Sequence, residues 1–170
     1  MLKRPNPLED FQHTLSDYVT VQGTTHPESQ LILLILPAMG APAKLYKRLY
    51  DGIIQAGLSA AIMNLRGDGR LQKNQLVSGG NFGYAELLTD LEDAVTYITE
   101  RFPGKRIITV GHSLGGQLGC LFQCHGNPHA AASIVIAGGN VGYQSWKGLE
   151  KLKTLFATQF FGLTASLKPL

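Results

Sequence analysis

The stretch TVGHSLGGQLG, Thr109 to Gly119, decides the fold. It sets Ser113 between glycines, straight after the β-branched run RIITV and straight before an apolar segment with helical spacing. The pattern G-x-S-x-G is weak alone, because glycine and serine are common. The succession of strand, serine and helix gives it content. In so abrupt a turn the serine backbone is forced into a strained conformation, and its hydroxyl stands clear of the sheet edge. Residues two before and two after must pass close to neighbouring chain, where a side chain would collide. Gly111 and Gly115 meet that requirement, and Gly116 adds clearance. The free N–H groups of the helix starting at Leu114 face the same spot, so an oxyanion there meets a donor and the positive end of a dipole. The sharp reading makes Ser113 a nucleophile; the plain one is a tight glycine turn with an incidental serine.

Outward from this stretch the elements alternate. DYVTVQG (Asp17 to Gly23) follows a polar start and has the β-branched alternation of a strand. LILLIL (Leu31 to Leu36) is continuously apolar, as a strand buried on both faces is, and Pro37 ends it. AKLYKRLYDGIIQAG spaces Leu45, Leu49, Ile53 and Ile54 helically and stops at Gly57. LSAAIMNL (Leu58 to Leu65) is a second buried strand, followed by the loop RGDGR. In YAELLTDLEDAVTYITERF the residues Leu87, Leu88, Leu91, Ala94, Val95, Ile98 and Phe102 form one stripe, with Glu86, Asp90, Asp93 and Glu100 expected to face away. RIITV (Arg106 to Val110) is a third buried strand and AASIVIAGG (Ala131 to Gly139) a fourth, with a helix from Leu114 to about His125 between them. Strands alternating with helices mean βαβ units: an α/β fold with a mostly parallel sheet and helices on both faces.

The bulk composition fits one domain with a real hydrophobic core: 170 residues, 44% apolar and 16% charged. The net charge of +3 is scattered, and the basic clusters Lys3-Arg4 and Lys151/Lys153 are too short to track phosphates, so nucleic acid is not an expected partner. Cys120 and Cys124 are four apart on the helix, where they read as a pair of small buried hydrophobes. A disulfide within one helical turn is geometrically disfavoured, and no paired ligand motif joins His125 and His129 to them, so neither metal nor cofactor is expected. No signal peptide is visible at the N-terminus, and LILLILPAM is far short of the roughly 20 residues needed to cross a bilayer. The expectation is a cytoplasmic chain without a membrane span.

Two glycine-punctuated loops flank the serine. PAMGAP follows the Leu31–Leu36 strand, and its small residues would let a second oxyanion donor, the Met39 N–H, approach a carbonyl. NLRGDGR contains Asp68, read as a turn residue with Arg66 as its local partner rather than as a catalytic acid.

Together, ILPAMG, NLRGDGR and VGHSLGG stand in the order and rough spacing of the α/β-hydrolase fold's oxyanion loop, post-strand loop and nucleophile elbow. The chain resembles an α/β-hydrolase from about Leu31 onward, and PAMGAP, GHSLGGQL and GGNVGYQSWKG resemble a bacterial branch with a serine-aminopeptidase-like domain. The resemblance implies Ser113 as nucleophile, the backbone N–H groups of Leu114 and Met39 as the oxyanion hole, and Arg66 and Gly67 as a structural loop motif. His112 matches the variable position before the serine and is not the base. Pro37-Ala38 replaces the His-Gly with which many relatives begin the oxyanion loop.

In this fold the acid and then the histidine follow the nucleophile in the chain. After Ser113 there remain only Glu150, His125 and His129, none in a suitable setting, so the triad is not completed from these residues. SWKGLEKLKTLFATQFFGLTASL carries Trp146, Leu149, Leu152, Phe156, Phe160 and Leu163 at roughly helical spacing. It resembles the start of a helical lid, the plain alternative being an amphipathic helix packed on the sheet. The expected organisation is therefore residues 1–139 as the N-terminal core and 140–170 as the start of the lid, the C-terminal strands missing. SIVIAG would then be an open apolar edge through which the chain self-associates. The implied function is hydrolysis of a carboxylic ester or related acyl bond in a small-molecule substrate, incomplete in this chain. An acyltransferase of the same fold and a non-catalytic binding protein are the alternatives.

Overall fold

A computed structural model describes residues 8–16, 19–66, 82–139, 144 and 147–156. The chain divides into two compact units, Met1–Gly138 and Gly139–Leu170. In the first, six strands among the described residues form one sheet: β1 (Glu9–Ser16), β2 (Val19–Thr25), β3 (Leu31–Leu36), β4 (Ser59–Met63), β5 (Arg106–His112) and β6 (Ala130–Ile136), in the spatial order β1-β2-β4-β3-β5-β6. The pairings β3·β4, β3·β5 and β5·β6 are parallel, whereas β1·β2 and β2·β4 are antiparallel.

Among the described residues three helices cover the sheet: α1 (Lys47–Gln55), entered through a 3-10 turn at Ala43–Tyr46, α2 (Tyr84–Arg101) and α3 (Leu114–Cys124). The period-2 alternation of β3 sorts them. Ile32, Leu34 and Leu36 join Leu87, Leu91, Val95, Leu118 and Phe122 in one core under α2 and α3. Ile35 joins Ile53, Ala60 and Ile62 in a second core under α1. LILLIL is continuously apolar because each face of this central strand meets a helix layer.

The structure departs from the sequence reading at several points. The polar start contains β1, hairpinned to β2 through the register Glu9↔Thr25 to Ser16↔Val19; its alternation EDFQHTLS holds few apolar residues because the strand lies at an edge. The second strand runs Val19–Thr25, and Asp17 and Tyr18 lie outside the described residues. Asp90 does not face away from α2: it is 3% exposed. Cys120 and Cys124 are not buried but exposed free thiols, because α3 turns its glycines and not this face toward the sheet. Leu45, expected within the helical stripe, is exposed on the 3-10 turn. β6, read as a buried strand and also as an open apolar edge, has Ile134, Val135 and Ile136 each more than 40% exposed, since it pairs on one side only among the described residues. Asp68 and Gly67 lie outside the described residues. No described helix is long and apolar enough to cross a membrane, and no cluster of metal-ligating side chains occurs among the described residues.

The second unit contributes a helical stretch at 148–156, where Lys153 pairs with Glu150 and Leu149, Leu152 and Phe156 are exposed.

Candidate active site

Strand β5 passes into α3 through one residue, Ser113, whose backbone sits at φ 52°, ψ −114°. A non-glycine residue there costs about 1–3 kcal/mol and persists only where its surroundings hold it. They do so here from both sides. The Ser113 N–H donates to the Ile136 carbonyl at 2.9 Å, and the Ser113 carbonyl accepts from the Gln117 N–H at 3.1 Å.

The flanking glycines are required by close approach. A Cβ on Gly111 would lie 2.2 Å from the Gly115 carbonyl oxygen, and one on Gly115 would lie 2.1 Å from that of Leu36 and 2.7 Å from that of Pro37. Gly116 and Gly119 carry the same contact along the helix, toward Val135 and Ser133 of β6. The first turn of α3 is thus pressed onto the end of β3, bringing the turn after Pro37 beside Ser113.

That turn is a tight one. The Ala41 N–H donates to the Ala38 carbonyl at 3.0 Å, with Met39 and Gly40 between, and Gly40 takes φ +67° as a type II turn requires. The Ala38 N–H donates to the Tyr46 hydroxyl at 2.8 Å, and that hydroxyl lies 2.9 Å from His112 Nδ1. The Met39 N–H has no hydrogen-bond partner among the described residues. The Leu114 N–H is the first of α3 and has no intrahelical acceptor, the ladder starting with Gln117. The Ser113 hydroxyl likewise has no partner among the described residues, yet it is not a buried orphan: it reaches solvent.

All five histidines lie in the described residues, and none bonds that hydroxyl. His112 turns Nδ1 to Tyr46. His125 and His129 stand past the far end of α3, an 11-residue helix about 16 Å long. His13 stacks on Tyr97 at the β1 edge, and His26 sits near Ser59, where the parallel strands begin rather than where they end. Arg66 forms a bidentate pair with Asp90, both bonds 2.6 Å, tying the loop after β4 to α2. Asp68, the partner expected for Arg66, lies outside the described residues, and the sequence reading singles out neither Asp90 nor Tyr46. Asp90 had a usable signal, because it falls within the stripe of Leu87, Leu91 and Ala94. Tyr46 had none, since nothing in LYKRLY separates it from Tyr50. A cavity of about 620 Å³ lies elsewhere, lined by Asp10, Gln22, Thr24, Lys44, Tyr50 and Ile62, on the polar face of the β1–β2 hairpin and away from Ser113.

A family model described as serine aminopeptidase, S33, matches residues 27–168. Among curated proteins none matches the chain. Solved structures share the fold at low identity. A thermostable carboxyl esterase from Bacillus coagulans is 16% identical with a TM-score of 0.61, over 75% of this chain and 43% of its own. A dienelactone hydrolase from Anabaena variabilis is 14% identical with a TM-score of 0.63, over 75% of this chain and 62% of its own. An α/β-hydrolase from a Penicillium species is 18% identical with a TM-score of 0.61, over 97% of this chain and 57% of its own. The chain therefore spans about half the length of the structures it resembles.

Proposed function

The chain belongs to the serine aminopeptidase S33 family of α/β-hydrolases, and on that premise we propose that Ser113 is the nucleophile of a serine hydrolase acting on carboxylic ester or related acyl bonds. The observation that carries the reading is the strained Ser113 backbone, held between Ile136 and the first turn of α3 with a solvent-reaching hydroxyl. Strain of this kind is retained where a side chain must be presented. Ser113 Oγ adds to the acyl carbon while its proton passes to a general base. The carbonyl π pair becomes an oxyanion, received by the Met39 and Leu114 amides. Collapse expels the alcohol, which regains the proton, and water repeats the sequence on the acyl-serine to release the acid.

The base is not one of the five histidines, so in this reading a histidine and its carboxylate come from outside these 170 residues. Residues 140–170 are read as the start of a lid segment. Met39, Leu45, Phe82 and Tyr84, exposed on the segments after β3 and at the head of α2, favour an apolar acyl or alcohol group in a small-molecule substrate. The apolar β6 edge favours self-association.

An activated aryl acetate tests the assignment. Without the base, deacylation is slow, so an acetyl group should accumulate on Ser113, visible by peptide mass and absent in Ser113→Ala. An alcohol acceptor added afterwards separates the hydrolase from an acyltransferase, which would move the acetyl group to the alcohol rather than to water. No selectivity for Ser113 over other serines would favour a non-catalytic binding protein and defeat the proposal.

A further inference from the structure

The turn after β3 carries two successive amides, those of Ala38 and Met39, and only one is free. The Ala38 N–H is held at 2.8 Å by the Tyr46 hydroxyl, which also lies 2.9 Å from His112 Nδ1, the two rings meeting edge-on at 6.0 Å and 63°. Tyr46 thus ties together the turn, the entry to α1 and the last residue of β5.

Counting protons fixes how. A phenol has one hydrogen to give and two lone pairs. The Ala38 amide can only donate, so it takes one lone pair. If His112 Nδ1 also carried a hydrogen, the phenol would accept twice and its own hydrogen would have no partner among the described residues. Every group is satisfied when Tyr46 donates to a bare Nδ1, which leaves the neutral imidazole's hydrogen on Nε2. That nitrogen has no partner among the described residues and reaches solvent.

We propose that Tyr46 is a positioning residue for the reaction at Ser113, an inference that rests on reading Ser113 as the nucleophile. Its hydroxyl withdraws the Ala38 amide and pins the turn to His112, leaving the Met39 amide to receive the oxyanion with Leu114. His112 supports the turn and does not take the Ser113 proton: Nδ1 is engaged and Nε2 already protonated.

Nuclear magnetic resonance on the 15N-labelled chain tests this without turnover. Expected are slow hydrogen exchange at the Ala38 amide, fast exchange at Met39, and long-range couplings that place the His112 hydrogen on Nε2. Tyr46→Phe keeps the ring, so the Leu34 and Ile35 amides should be unchanged while Ala38 exchange rises about tenfold, the worth of one hydrogen bond, and the His112 tautomers mix. In chain phosphonylated at Ser113, the Met39 amide resonance should move more than that of Ala38. Fast Ala38 exchange or an Nδ1-protonated His112 in the unaltered chain overturns the proposal, as does exchange indifferent to Tyr46→Phe or a larger shift at Ala38. If Ser113 takes no phosphonate, the nucleophile reading fails instead, and exchange and tautomer still decide the role of Tyr46.

Discussion

At the scale of single residues, Ser113 holds backbone energy that its neighbours maintain. Its φ of 52° lies where glycine is at ease and serine is not. Ser113→Gly should therefore raise stability by about 1 kcal/mol: relief of about 1–3 kcal/mol of strain exceeds the 0.5–1 kcal/mol entropy that glycine loses on folding. Urea titration checks this, and a variant less stable than the parent would mean the conformation is not strained. The glycines and the serine were legible in the sequence because steric need dictates their type. The donor geometry was not. Which amide of Pro37–Gly40 is free depends on Tyr46 arriving from the next element, and no spacing within PAMGAP encodes that.

At the scale of elements, α2 shows how a periodic stripe can be read correctly and still mislead. Leu87, Leu91, Ala94, Val95 and Ile98 are buried as their spacing demands, and Asp90 is buried with them because Arg66 reaches over from the loop after β4. Asp90→Asn should cost about 3 kcal/mol, toward the lower end for a broken buried pair because Arg66 is 22% exposed. A drop in the urea midpoint with unchanged slope is the expected result. At its other extreme, α2 is capped by Glu86, whose carboxylate accepts the Gly83 N–H at 2.6 Å. That bond holds the Glu86 carboxyl below the ordinary glutamate value of 4.5. Because the folded value is depressed, the cap's contribution is present above pH 4.5 and fades as pH falls through the lower folded value. The Gly83 amide resonance should titrate with a midpoint below 4.5, and Glu86→Gln should abolish the titration.

At the scale of the whole molecule, the alternation of apolar runs and helical stripes carried the fold, since β3, β4 and β5 are flanked by helices as their composition requires. The edges were unevenly legible: β1 hides in a half-polar pattern that reads as a polar start, whereas β6, apolar throughout and expected as an open edge, stands at one end of the sheet among the described residues. An apolar parallel edge templates further pairing. Sedimentation velocity should show concentration-dependent association, weakened by Ile134→Lys, which sets a charge on that edge. A monomer at every concentration would contradict it.

The nucleophile assignment is tested most directly by intact-mass and peptide mapping after treatment with a fluorophosphonate, with and without imidazole as an external base. Slow adduct formation confined to Ser113 is expected, accelerated by imidazole and absent in Ser113→Ala. A serine that the probe does not prefer over the chain's other hydroxyls, with or without imidazole, would contradict it.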